Sequence, residues 1–126
     1  EARLAASLGP RVNVDGSVHF IEDLRIEEIL YSSEERLLEE LIHRHLGTLR
    51  ANPDWTETRN TFLQWCHSGF SIQKAAASLH IHRNTFTYRL EKLQERSGKD
   101  LRDFRQVMEV YLAINAERML KDNSVE

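Results

Sequence analysis

The segment Ser71–Gln94 constrains this chain more than any other, because it sets two helical patterns against each other with room only for a tight turn between them. Ser71 is suited to cap a short helix from Ile72 to Leu79, and a longer helix runs from about Arg83 to Arg96 until Ser97-Gly98 stops it. Two helices that cross steeply over a tight turn need a small residue where they touch, and Ala75-Ala76 supply it. They also need apolar anchors on either side of the turn, here Leu79 and Ile81. One turn residue must tolerate positive φ. Glycine is usual there, and His80 is a permitted substitute. The second helix then buries Phe86, Leu90 and Leu93, spaced four and three apart.

At about 100° per residue, with Phe86 turned to the core, Asn84, Thr87, Tyr88 and Glu91 point away from it. Arg83 and Arg89 fall on opposite flanks, and Lys92 lies farther round on the Arg89 side. These side chains have the chemistry of a major-groove reader. Arginine grips guanine with two hydrogen bonds, asparagine does the same to adenine, and a threonine methyl touches thymine. The N-terminal turn of such a helix goes deepest, which predicts Arg83, Asn84 and Thr87 as base readers. Tyr88, Arg89 and Lys92 are placed for phosphate.

The charge of the whole chain argues the other way, since a net charge of −3 and a pI near 6.1 are unlike the usual basic DNA binder. The average conceals a segregation. Up to Glu57 six basic residues stand against twelve acidic ones, whereas from Thr58 to Met108 nine basic residues stand against four. Phosphate attraction acts over a Debye length of about 8–10 Å, so the local sign decides.

The rest of the chain reads as helical from Ser32 onward, with a small β element ahead of it. Asp15-Gly16, flanked by Val12-Asn13-Val14 and Ser17-Val18-His19-Phe20, predicts a hairpin. Glu1 to Leu8 reads as the end of a helix stopped by Gly9-Pro10, and Leu24 to Tyr31 as a short helix. Ser32 with Glu35 three residues on matches a capping box for a helix whose stripe is Leu37, Leu38, Leu41, Ile42, His45, Leu46 and Leu49. Asn52-Pro53-Asp54 breaks that helix, with Asp54 or Thr56 as the cap of the next. Phe62, Leu63, Cys66 and Phe70 line one side of this helix, and Gly69 suits its left-handed end. Asp100 or Asp103 starts an amphipathic last helix striped by Phe104, Val107, Met108, Tyr111, Leu112, Ile114 and Met119. That stripe is read as core, with a dimer seam as the alternative.

Catalytic and metal chemistry find no support. The single Cys66 falls on an apolar stripe, and His43/His45 and His80/His82 are each two residues apart, which on a helix points them to different faces. No nucleophile-base-orienter set, Gly-rich phosphate loop or His-Glu-x-x-His pattern is present, so no enzyme, cofactor or metal is expected. No apolar run approaches the roughly 20 residues of a membrane span, and the N-terminus has no signal-peptide layout, which suits a reducing cytoplasm.

The stretch HIHRNTFTYRLEKLQERSGKDL resembles the C-terminal domain of the bacterial sugar-diacid and purine-catabolism regulators, the CdaR/PucR family, whose helix-turn-helix is similar to that of the Fis nucleoid protein. The likeness covers roughly Leu63 to Leu120, through LHIHRNTFTYRLEKL, SGKDL and VYLAINAERML. It implies His82, Arg83, Asn84, Thr85, Tyr88 and Arg89 as the recognition-helix pattern. Phe86 departs from the more usual leucine, and Thr87 stands where a basic residue is common. The resemblance also implies that residues 1–31 close a GGDEF-like regulatory domain and its linker, with a sensor domain farther upstream, and that 32–126 form the DNA-binding domain.

The expectation is therefore a mainly α helical bundle containing a Fis-like helix-turn-helix, with a small N-terminal β hairpin. Its predicted role is sequence-specific binding of double-stranded DNA in transcriptional regulation, as a homodimer controlled by an upstream sensor domain. The alternatives are a protein-interaction module or a non-specific architectural DNA binder that uses the same helix.

Overall fold

The computed structural model describes residues 25–124, and among them all regular structure is helical. Six α-helices follow one another: α1 Ile26–Tyr31, α2 Glu35–Leu46, α3 Trp55–His67, α4 Ile72–Ser78, α5 Arg83–Ser97 and α6 Phe104–Ser124. A 3-10 turn, Leu49–Ala51, precedes α3. The mainly α class agrees with the periodicity. The hairpin expected around Asp15-Gly16 and the helix expected before Gly9-Pro10 lie outside the described residues.

Two helix starts obey local chemistry, and two do not follow the expected device. The Ser71 hydroxyl accepts the Lys74 backbone N–H at 3.2 Å, so it caps α4 as its residue type predicts. Asp103 does the same before α6, accepting from the Arg105 N–H. Ser32 does not form the expected capping box. Its hydroxyl and that of Ser33 both donate back to the Ile29 carbonyl, at 3.0 and 2.9 Å, so the two serines close α1 instead of opening α2. α2 begins at Glu35 behind Glu34, which makes no side-chain cap. Asp54 precedes α3 without capping it either, because its carboxylate is turned to Arg96.

Two groups of helices share one core. α3, α4 and α5 pack on one another, while α2 and α1 lie along α6. α2 buries Leu38, Ile42 and Leu46, a single row of residues four apart. α6 corrects the expectation of an amphipathic last helix. Ala113, Ile114, Asn115, Ala116 and Glu117 are buried in succession, and five residues at about 100° each go right round the helix. α6 is thus enclosed by its own chain over this turn, and its buried residues are core instead of an open seam. Small alanines let the neighbouring backbones come close on the sides where no large apolar residue stands.

Two polar clusters tie the groups together. The Glu117 carboxylate of α6, only 3% exposed, accepts the Trp55 indole N–H at 3.2 and 3.3 Å. Arg50 and Arg59 approach the same carboxylate at 3.7 Å. Lys99, in the link after α5, reaches His45 Nδ1 of α2 at 3.0 Å and Glu109 of α6 at 3.2 Å. The Gln94 side chain accepts the Leu101 N–H at 2.9 Å, which fastens the end of α5 to the same link.

Candidate nucleic-acid interface

The turn between α4 and α5 is built by the C-terminal cap of α4. His80 N–H donates to the Ala77 carbonyl at 3.2 Å and Ile81 N–H to the Ala76 carbonyl at 3.1 Å, the paired bonds of a Schellman motif. His80 holds the left-handed position at φ 57°, as the turn requires. The same motif ends α3, where Gly69 takes φ 66° and Phe70 N–H donates to Trp65. There the Phe70 ring packs edge-on against Trp65 with centroids 5.0 Å apart. Ala75 and Ala76 are buried on α4, which packs against both α3 and α5, while Ala77 is exposed.

α5 is anchored by Phe86, Leu90 and Leu93, all buried, each contributing roughly 1.5–3 kcal/mol of apolar burial. His82 precedes α5 as its N-cap, and its ring Nδ1 accepts the Asn84 N–H at 3.0 Å. That bond requires a bare Nδ1 and puts the proton of the neutral ring on Nε2. Sequence reasoning grouped His82 with the recognition residues but missed this capping role. Arg83, Asn84, Thr85 and Tyr88 are exposed, Tyr88 to 60%. Lys92 Nζ sits 5.5 Å from the centre of the Tyr88 ring, a cation–π contact one turn along the helix.

Thr87 departs from the expected exposed position, since it is buried at 9% exposure. It follows Leu90 by about 60° around the helix, and the enclosed arc of α5 is wide enough to take it in. Arg89 is likewise drawn inward: its Nε pairs with Glu57 of α3 at 3.1 Å, with the arginine side chain 22% and the glutamate 55% exposed.

The ion pairs sharpen the charge argument. Of the nine basic residues between Thr58 and Met108, six are held by carboxylates of the same chain: Arg59, Arg89, Arg96, Lys99, Arg102 and Arg105. Among the described residues, Lys74, Arg83 and Lys92 make no ion pair, and all three stand on α4 or α5. Positions 58–90 carry no Asp or Glu at all. The acids of α5, Glu91 and Glu95, belong to its second half. The unpaired positive charge therefore lies on α4 and α5, with Arg83 on the first turn of α5 beside the exposed amide of Asn84.

Other chemistry has little to work with. Burial pushes the Cys66 thiol well above its ordinary range, so it carries no thiolate near neutral pH. Among the described residues, no three His, Cys, Asp or Glu side chains converge, and no helix is long and apolar enough to cross a membrane. An open cavity of about 600 Å³ lies between α1 and α6, lined by Glu27, Tyr31, Asn115 and Met119 among others, and includes no residue of α4 or α5.

Comparison with known proteins points to the same segment. Residues 58–116 match the family model described as the PucR C-terminal helix-turn-helix domain. A purine catabolism regulatory protein of Bacillus subtilis is 43% identical over 49 residues, which is 39% of this chain and 9% of the relative. The carbohydrate diacid regulator of Escherichia coli is 25% identical over 116 residues, 92% of this chain and 30% of the relative. The transcriptional activator PmfR of Paenarthrobacter nicotinovorans is 28% identical over 88 residues, 70% and 18% respectively. The chain thus spans less than a third of the length of each of these three relatives. No solved structure matches it significantly. With its turn, its buried stripe and its matched residues in agreement, the segment 58–116 belongs to the PucR C-terminal helix-turn-helix family of transcriptional regulators.

Proposed function

We propose that this chain binds double-stranded DNA with sequence preference, laying the N-terminal half of α5 in the major groove to control transcription. The observation that carries this reading is the distribution of free cations: those left without a carboxylate partner in the basic segment all stand on the two helices of the turn. Arg83 and Asn84, exposed on the first turn of α5, are the base readers, with Thr85 beside them. Lys74 and Lys92 hold phosphate, Tyr88 supports Lys92, and the Nε2–H of His82 is a further donor. Thr87 takes a packing role in this scheme instead of a reading one.

A single helix of this size reads few base pairs, so the working form is a homodimer on a two-fold site, its half-sites one helical turn or a multiple apart. An upstream sensor domain in the whole regulator sets dimer geometry when it binds its effector, and the protein acts in the cytoplasm. The names of the matched relatives support regulation of catabolic genes as the setting.

Selection of bound duplexes from a random pool tests the reading. Enrichment of a two-fold symmetric sequence is expected, with affinity falling steeply with salt at a log–log slope near −0.9 per phosphate contact. No enrichment, or binding only to a protein partner that salt leaves unchanged, would refute it.

A further inference from the structure

Two of the arginines on α5 are held by acids from the start of α3. Arg89 Nε lies 3.1 Å from Glu57 Oε1, and Arg96 donates to both Asp54 carboxylate oxygens at 2.9 and 3.1 Å. Arg89 and Arg96 are seven residues apart, so they project from one side of α5 about 10 Å apart along its axis. Asp54 and Glu57 are three apart, which puts them on one side of α3.

Apolar packing between α3 and α5 is non-directional, so it fixes how close the two helices come better than how far one slides along the other. Two ion pairs at separate points along α5 supply the missing axial reference. We infer that Asp54 and Glu57 are positioning residues, which hold α5 in register on α3 through Arg96 and Arg89, and that Arg89 does not contact phosphate. The inference rests on the DNA-binding reading and refines it.

The accessibilities favour this over a direct contact. Glu57 is the more exposed partner and Arg89 the more covered one, so a phosphate nearing that flank meets a carboxylate as well as the guanidinium. Releasing Arg89 to DNA would leave that carboxylate unpaired beside the phosphates. The same two acids suit their own helix, since negative charge at the start of α3 complements its macrodipole.

A double-mutant cycle with Glu57→Gln, Arg89→Gln and the pair decides the matter, measured on a duplex selected by the wild-type protein and on a random duplex. The ratio of the two affinities is expected to fall about two- to fivefold in each single variant, with the double losing no more than either single. The salt slope should stay at its wild-type value in all three. A slope shallower by about 0.9 in Arg89→Gln, or a raised ratio in Glu57→Gln, would show that Arg89 is a phosphate contact masked by its acid and would overturn the inference. Should the wild-type protein select no duplex, the DNA reading fails by itself. Urea unfolding midpoints then decide the coupling: equal shifts in the singles and the double keep the register role, and additive or absent shifts remove it.

Discussion

The Glu117 carboxylate receives the Trp55 indole N–H at 3.2 Å across 62 residues of sequence, and it does so in a nearly water-free position. A buried carboxylate is costly unless its lone pairs are satisfied, and here an indole and two guanidinium groups surround it. Glu117→Ala would strand those donors, including the largely covered Arg59, and should cost about 3 kcal/mol of stability. Glu117→Gln keeps an acceptor for Trp55 and should cost less, about 1–2 kcal/mol. Denaturant unfolding of the three proteins checks the order. Equal stability of Glu117→Ala and wild type would mean that water replaces the carboxylate without loss.

His80 occupies a left-handed backbone position that a Cβ makes unfavourable. Its N–H bond to Ala77 comes from the backbone, so the imidazole is not needed for the turn. His80→Gly should therefore stabilise the domain, by about 0.5–1 kcal/mol after glycine's larger entropy loss. The thermal midpoint should rise while the DNA site, which does not call on His80, keeps its sequence preference. A lowered midpoint would show that the ring makes contacts worth more than the strain.

How far residues reveal such features depends on how local they are. Ser71, Gly69, His80 and Gly98 could be placed from sequence because a cap involves only the next few residues, and each stands where the helix pattern stops. Phe86, Leu90 and Leu93 were equally legible, since three apolar residues at helical spacing leave one choice of face. Ser32 misled because a serine hydroxyl can serve the helix behind it as well as the one ahead. Thr87 misled because the width of a buried arc is set by the neighbours that pack round the helix, not by the helix itself. α6 hid its enclosure because Ala113, Ala116, Asn115 and Glu117 do not look like core residues. The pairing of Arg89 with Glu57 joins residues that only the packing of α3 on α5 brings together, so charge segregation along the chain overstated the free positive charge.

His45 gives the fold a pH dependence with a definite sign. Burial, helped by the nearby Lys99, lowers its pKa below the ordinary 6.5. The unfolded chain therefore takes up a proton at His45 before the folded one does, so folded stability falls as pH drops below about 6.5 and levels off beneath the folded pKa. The wild-type urea midpoint should fall on going from about pH 7 to about pH 5.5, and by less in His45→Gln. Identical slopes in the two proteins would show that His45 does not carry the dependence.

Arg83 and Lys92 should fail in different ways if one reads bases and the other holds the backbone. Arg83 is exposed at the first position of α5 and makes no ion pair within the described residues, so its fork is available for guanine. Arg83→Ala should cost roughly 1–3 kcal/mol on the preferred duplex and blur the preference at one position of each half-site. Lys92 stands beside Tyr88 on the flank and carries a point charge suited to phosphate. Lys92→Ala should weaken binding to all duplexes alike and make the salt slope shallower by about 0.9. Repeating the pool selection with each variant separates the two, because only the first should return a degenerate position. A sharp, unchanged consensus from Arg83→Ala would move base reading to Asn84 and Thr85, the other exposed residues of that turn.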